Sequence, residues 1–192
     1  MNMAVAVISF KMPDPMEIPD HIVDELRQMP PDEAVKKGAE LLLDIDAAET
    51  IIYERVDEEG ALQLRAVVTR NGQGEALDEQ LRQQEFYGKA LADEGNSLAG
   101  AAFARKSSLL VMGQAEAGEP PPLPAGLARH LLDSSGAGNV GFLYVLTLSG
   151  ADSRPLGAMT LLRPQSTGPL NHEQPNITEG LRRVLCDILE RG

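Results

Sequence analysis

Two neighbouring apolar strands constrain this chain more than any other feature. Residues 140–148 form a run of aliphatic and aromatic side chains, and residues 156–162 form a second apolar run. The intervening residues 149–155 include Gly150 and Pro155 and are sufficient only for a turn. Because a short turn joins strands that run in opposite directions, the sequence predicts an antiparallel hairpin here.

Further strands are predicted in the first two thirds of the chain. Thr50–Val56 and residues 62–68 partly alternate apolar and polar side chains around a turn that ends at Gly60, which indicates a second hairpin. Residues 108–112 are typical of a buried strand. Ala4–Phe10 is short and β-branched, and we interpret it either as a strand or as an apolar arm that needs a partner.

Helical spacing accounts for much of the remainder. Residues 21–29 form a short helix that Asp20 is expected to cap, and a second helix opens at Asp32 and Glu33. The last helix, with Asn171 as its expected cap, carries a continuous apolar stripe made of Ile177, Leu181, Val184, Leu185, Ile188 and Leu189.

Three shorter helical stretches are indicated at residues 75–85, 101–105 and 126–132. Residues 115–124 hold four prolines and predict a stiff loop, and residues 133–138 predict a flexible turn. Few strands alternate with helices in the βαβ manner. We therefore expect an α+β fold, with a mainly antiparallel sheet and helices on its faces.

Length and charge limit the function classes. The chain has 192 residues and a formal net charge of −12, which argues against nucleic acid and against an anionic membrane surface. Its length suits one domain, residues 31–192, preceded by an extension at residues 1–30 that holds the apolar arm and a short helix. No apolar run approaches the roughly 18 residues of a membrane span, and no signal peptide is evident, so we expect a cytoplasmic protein.

Residues that would carry catalysis or bind a metal are not arranged in known patterns. Cys186 is the only cysteine, so neither an internal disulfide nor a cysteine-based zinc site is possible, and we expect it to be buried in the last helix. His21, His130 and His172 form no metal-binding pair, and no phosphate-binding glycine loop or nucleophile elbow occurs. We expect no catalytic residues, no metal and no enzymatic activity.

Several short motifs follow one another in an order that can be compared with known domain families. A helix end and a strand at residues 40–54 are followed by Gly95-Asn-Ser-Leu-Ala-Gly, then by the strand at residues 107–112, by Arg154-Pro-Leu-Gly-Ala-Met-Thr-Leu-Leu, and by Leu170-Asn-His-Glu before the last helix. In this order the motifs resemble those of GAF domains over about residues 32–190. PAS-like and profilin-like sensor folds are the competing interpretations.

The resemblance implies a six-stranded antiparallel sheet, with terminal helices on one face and a small-molecule pocket on the other. GAF domains bind cyclic nucleotides, linear tetrapyrroles, haem, or amino and keto acids, or bind nothing, and a few reduce free methionine sulfoxide. This chain lacks the loop cysteines that the reductases need and the spacing of the cyclic-nucleotide signature. Covalent bilin attachment needs a thiol on the pocket side, and Cys186 in the last helix is badly placed for it. The cofactor therefore stays unknown, and a bacterial regulatory protein is expected.

Basic side chains supply half of the candidate ligand contacts. Arg105 with its neighbour Lys106 is expected at the mouth of the pocket, where it would hold a carboxylate or phosphate, although an ordinary surface pair is the plain alternative. Arg129 and His130 are expected on the short helix that borders the pocket. The plain alternative for His130 is a partly exposed helix histidine.

The other three candidates are hydroxyl-bearing. Ser97 belongs to the glycine segment at residues 95–100, which would frame the pocket. Tyr53 and Tyr144 lie on predicted strands and are expected to face one side of the sheet with their polar tips, although core positions are the plain alternative.

Two functions of different classes follow. The first is a sensory or regulatory module whose small-molecule ligand orders residues 115–124 and biases the terminal helices, with a separate protein as a possible output partner. The second is a homodimerisation or interaction module with a vestigial pocket, in which residues 3–10, the helix at 21–29 and the last helix form the interface. We favour the first and expect the protein to be a homodimer in either case.

Overall fold

The computed structural model describes residues 4–70, 74–85, 87–91, 97–114 and 140–192. One antiparallel sheet has the strand order β1-β4-β5-β6-β2-β3, with the strands β1 Ala4–Phe10, β2 Thr50–Val56, β3 Leu62–Thr69, β4 Ser108–Gln114, β5 Val140–Ser149 and β6 Pro155–Pro164. The described helices are α1 Asp20–Gln28, α2 Pro31–Asp44, α3 Gly74–Arg82, α4 Leu98–Ala104 and α5 Gln174–Arg191. The predicted α+β class and six-stranded antiparallel sheet are confirmed.

Helices α1, α2 and α5 cover one face of the sheet, which we call the terminal-helix face. Its core holds Leu42 from α2, Leu185 from α5, and Leu146 from β5, all at 0% exposure. Helices α2 and α5 approach closely at Gly38, where an added Cβ would lie 2.8 Å from a methyl of Leu185. Most of the apolar stripe of α5 is thus buried within the chain, and Ile177 and Val184 are half-buried.

Helices α3 and α4 cover the other face, which we call the α4 face. The sheet contributes aliphatic side chains from β2 to β6, and α3 and α4 pack Leu77, Leu81, Leu98 and Ala102 against them. A small adjoining group, which we call the Leu91 cluster, contains Leu62, Leu91, Ala99 and Ala158, with Val56, Tyr87 and Phe103 packed against it. Apolar side chains therefore make up most of the described core on the α4 face.

The amino-terminal segment is integrated into the domain. Ala4–Phe10 is a strand, β1, which pairs with β4 without interruption from Ala4–Gln114 to Phe10–Ser108. Residues 11–19, which we call the crossing segment, then pass over α5, where Met16 N donates to Asn176 O at 2.9 Å. They lie so close that a Cβ on Gly180 would collide with the Met16 carbonyl oxygen. Whether residues 1–30 form a separate extension stays a prediction.

Three helix starts differ from the expectations. Asp20 is the first residue of α1 rather than its cap, because Pro19 occupies the N-cap position without a side-chain hydrogen bond. Helix α5 begins at Gln174 rather than directly after Asn171, with Glu173 at the N-cap and a proline in the first turn. Helix α4 begins earlier than expected, since Ser97 Oγ accepts a hydrogen bond from Gly100 N at 3.0 Å.

Some predicted elements lie outside the described residues, namely the helix at 126–132, the loop at 115–124 and the turn at 133–138. Cys186 is buried on α5 as expected, and its burial raises the pKa of the thiol. None of the helices in the described parts of the chain is long and apolar enough to cross a bilayer.

Candidate functional site

A cavity of about 720 Å³ opens at the end of the sheet where β2 stops and β6 starts. Among the described residues, five parts of the fold form its wall: the β2–β3 turn, Leu91 of the segment 87–91, the end of α4, the β5–β6 turn, and the last turn of α5. The volume is within the range of roughly 300 to 1,000 Å³ typical of small-molecule sites. The lining residues that the argument uses are Arg55, Asp57, Leu91, Phe103, Arg154 and Glu190.

The two arginines of the wall are in different states. Arg55 Nη1 donates to Asp32 Oδ1 at 3.0 Å, so its charge is already compensated by a carboxylate outside the wall. Arg154 lies in the exposed β5–β6 turn, and its guanidinium makes no ion pair within the described residues. Arg154 is therefore the wall cation that is free to meet an anionic group.

Three carboxylates line the wall, Asp57, Glu58 and Glu190, and Asp57 and Glu190 accept hydrogen bonds within the fold. Asp57 organises its own turn, since it accepts hydrogen bonds from Ala61 N at 2.9 Å, Glu59 N at 3.0 Å and Gln63 Nε2 at 3.1 Å. The bond from Ala61, followed by that from Gln63, lowers the pKa of Asp57. The Asp57 carboxylate therefore stabilises the β2–β3 turn, and it is less available to a ligand than a carboxylate without hydrogen bonds.

Glu190 joins the β5–β6 turn to α5. Its Oε1 accepts a hydrogen bond from Ala151 N at 2.9 Å. A Cβ on Gly150 would lie 2.8 Å from the same oxygen, so a larger residue there would have to displace the Glu190 carboxylate. The turn that carries Arg154 is thereby attached to the last turn of the terminal helix.

A buried acid lies behind the cavity on the α4 face. Glu54 of β2 is 5% exposed, and Tyr87 is hydrogen-bonded to it. Burial raises the pKa of Glu54 to about 7, and the hydrogen bond from Tyr87 partly opposes that effect. Tyr87 packs in the Leu91 cluster together with Phe103, so the buried acid is one side chain away from the cavity wall.

Tyr87 belongs to a segment that is attached to the edge of β3. Gly88 N donates to Leu62 O at 2.8 Å, and Leu62 N donates to Lys89 O at 3.0 Å. Leu91 N then donates to Gly60 O at 3.0 Å, which positions the Leu91 side chain in the wall. The segment 87–91 therefore connects the buried acid, the β3 edge and the cavity.

Comparison with known proteins places this architecture. No family model matches the sequence, and the search of curated proteins finds no match. Among solved structures, the GAF domain/HD domain protein from Geobacter sulfurreducens superimposes with a TM-score of 0.62 at 14% identity, covering 88% of this chain and 96% of that chain. This chain has a GAF fold.

Two further structures have the same fold. The GAF domain from an Acinetobacter phosphoenolpyruvate-protein phosphotransferase gives a TM-score of 0.56 at 14% identity, covering 89% of each chain. A methyl-accepting chemotaxis protein, residues 122 to 287, gives 0.59 at 12% identity, covering 89% of this chain and 94% of that chain. The resemblance inferred from the motifs is confirmed at the level of the GAF fold.

In this GAF fold both candidate tyrosines lie on the same side of the sheet, as expected, and that side is the terminal-helix face. Tyr53 is 0% exposed, and its hydroxyl donates to Asp32 Oδ1 at 2.8 Å. Burial, followed by this hydrogen bond, raises the pKa of Tyr53. Tyr144 packs edge-on against Phe10 with ring centroids 5.7 Å apart, and its hydroxyl accepts from Leu170 N at 3.0 Å. Both rings are on the opposite side of the sheet from Glu54.

The remaining candidates lie elsewhere in the fold. Ser97 begins α4 through its bond to Gly100, and Arg105 is exposed just after α4 ends, beyond the cavity-lining Phe103. Arg129 and His130 lie outside the described residues. The structure does not bring the four described candidates together, and their contact with a ligand stays a prediction.

The cavity and the buried acid were not identified from the sequence. The buried acid could have been predicted from β2. Ile52 and Glu54 are two residues apart in the strand, so their side chains point to the same face of the sheet, the buried α4 face. A carboxylate at an inward position of an apolar strand indicates either a buried partner or a site. The cavity itself has no such signal, because its wall joins turns and helix ends that are far apart in sequence.

Proposed function

We propose that this chain is a sensory or regulatory module that binds a small molecule in the cavity at the end of the sheet. The role is binding and not catalysis, and the output passes to a separate protein. Support comes from the GAF fold, which the chain shares with domains of a chemotaxis protein and of a phosphotransferase. The cavity then supplies what the fold alone does not, which is a specific place for the ligand.

The composition of the cavity wall carries the proposal. Helix α4, both turns at this end of the sheet and the last turn of α5 all contribute to one wall. A molecule that fills the cavity contacts these elements together, so it favours the arrangement in which they are closest. Differential contact of this kind shifts the population of the α5 position, and that shift is the signal.

The wall also limits the ligand class. Leu91 and Phe103 provide apolar surface, and Arg154 provides a positive charge that has no ion-pair partner among the described residues. A small molecule with an apolar body and one carboxylate or phosphate group matches this combination. The Glu190–Ala151 hydrogen bond connects the Arg154 turn to α5, so an anion held by Arg154 acts on the helix through a defined contact.

Thermal-shift screening of metabolites against three proteins tests the proposal. Wild type is compared with Ala104→Trp, which fills the cavity from the exposed end of α4, and with Gln28→Trp, which introduces the same side chain at an exposed position of α1 outside the wall. We expect an anionic metabolite to stabilise wild type and Gln28→Trp, by about 2.7 kcal/mol at a hundredfold excess over Kd. Equal stabilisation of Ala104→Trp would place the ligand elsewhere and contradict the proposal.

A further inference from the structure

The two edges of the sheet are built differently. At one edge, β3 contains a bulge opposite Tyr53 and Glu54, carries Arg65 at that irregularity, and has segment 87–91 hydrogen-bonded along its start. Bulges, charges and covering segments are the means by which proteins prevent an edge strand from pairing with another chain. The β3 edge is therefore protected.

Among the residues that the structure describes, the opposite edge has none of these features. β1 is the last strand in the sheet order, and within the described residues its backbone pairs with β4 alone. Its seven paired residues, Ala4–Phe10, run without a bulge and contain no charged residue and no proline. A regular, uncharged edge presents unpaired N–H and C=O groups to any strand of matching length.

The exposed apolar surface coincides with this edge. Ile8 of β1 is 45% exposed and is the large apolar side chain that the described residues leave most open. An isolated exposed isoleucine needs no explanation, but here it lies on the strand whose outer backbone groups have no partner strand in the described part of the chain. An open backbone edge and an exposed apolar side chain on the same strand indicate that β1 is covered in the working protein.

We propose that β1 pairs antiparallel with β1 of a second copy of this chain, so that two sheets join into one across a twofold axis. A second copy is the occupant that the strand itself specifies, because self-pairing matches seven residues with seven. Two copies that each carry a net charge of −12 repel each other. A contact through β1 brings together strands without charged residues, so it adds no direct contact between like charges. The pairing is independent of the ligand proposed above.

Sedimentation velocity over about 1 μM to 1 mM, the range expected for a small interface, measures the association. We expect the wild-type chain to move from monomer to dimer over this range. Ile8→Lys places a charge on the edge and raises the dissociation constant at least about tenfold. Gln28→Lys, at an exposed position of α1, adds the same charge away from the edge and leaves the dissociation constant within about twofold.

Hydrogen exchange of the unmodified chain locates the interface without relying on a variant. We expect amides in peptides covering residues 4–10 to become more protected as the concentration rises, while peptides of the β3 edge do not change. A chain that stays monomeric to 1 mM would overturn the proposal, because its dissociation constant would then lie above about 1 mM. A dimer in which residues 4–10 exchange at the monomer rate would overturn it as well.

Discussion

Glu54 and Tyr87 form a hydrogen bond beneath α4, and this bond ties β2 to the segment that carries Leu91. Burial raises the pKa of Glu54 from its ordinary value of 4.5 to about 7. The folded protein therefore holds a proton on Glu54 at pH values where the unfolded chain has released it. This group stabilises the fold least above about pH 7 and most below about pH 4.5.

We predict that replacing Glu54 with glutamine removes this dependence. Relative to wild type, Glu54→Gln should gain stability as pH rises from 5 to 8, by up to roughly 3 kcal/mol. Urea unfolding at several pH values measures the difference. Tyr87→Phe is the companion variant: it removes the opposing hydrogen bond and shifts the transition to higher pH. Parallel wild-type and Glu54→Gln curves would refute the assignment.

Arg163 is expected to be the most costly arginine to remove. It is 1% exposed and donates to Gly168 O at 2.9 Å and to Ala47 O at 2.8 Å, with Asp46 O as a further acceptor. Arg163→Met leaves these carbonyls without their donor, so we predict a loss of about 3 kcal/mol in the free energy of unfolding.

The matched control for Arg163 is Arg70→Met. Arg70 pairs with Asp46 at an exposed position, where an ion pair contributes little. Chemical denaturation should give a change below about 1 kcal/mol for this control. Comparable losses for the two variants would show that the carbonyl contacts of Arg163 are not what stabilises the region.

Gly180 is predicted to reject even a methyl group. A Cβ there collides with the backbone oxygen of Met16, which cannot rotate away as a side chain can. Gly180→Ala should therefore displace the crossing segment and expose it to protease at Lys11, with a stability loss of about 2 kcal/mol. Gly38→Ala is the control, because it meets only the flexible Leu185 side chain and should leave cleavage at Lys11 unchanged.

Asp32 accepts hydrogen bonds from the Tyr53 hydroxyl at 2.8 Å and from Arg55 at 3.0 Å, and it forms an ion pair with Arg65 at 3.6 Å. We predict that Tyr53→Phe lowers the free energy of unfolding by about 1 to 2 kcal/mol and leaves ligand affinity unchanged. A double-mutant cycle with Asp32→Ala measures the pairwise term. Additive effects would mean that the hydroxyl and the carboxylate do not interact, and a large loss of ligand affinity would return Tyr53 to the binding site.

The hairpins, the strand at residues 108–112 and the apolar stripe of α5 were predictable because their signals are local and periodic. Helix starts were less predictable, since Pro19 and Glu173 take positions for which Asp20 and Asn171 were the better residues by preference. Local preference also could not decide whether Ala4–Phe10 was a strand or an arm, because the answer depends on β4, about a hundred residues away in sequence.

The candidate site was least predictable for the same physical reason. Tyr53 and Glu54 are adjacent in sequence, yet alternation in β2 sends the tyrosine to the terminal-helix face and the acid to the α4 face. The cavity wall depends on turns and helix ends whose positions are set by packing and not by pattern.

The crossing segment has a consequence for biosynthesis. Residues 4–19 leave the ribosome before the residues that hold them, since β1 pairs with Ser108–Gln114 and Met16 N donates to Asn176 O. These residues must therefore wait until the partners that hold them have been made, and native contacts of such long range also form slowly. Until β4 has been synthesised, the uncharged residues of β1 have no partner strand in the nascent chain. Other nascent chains on the same messenger RNA are the nearest polypeptides with which β1 could pair instead.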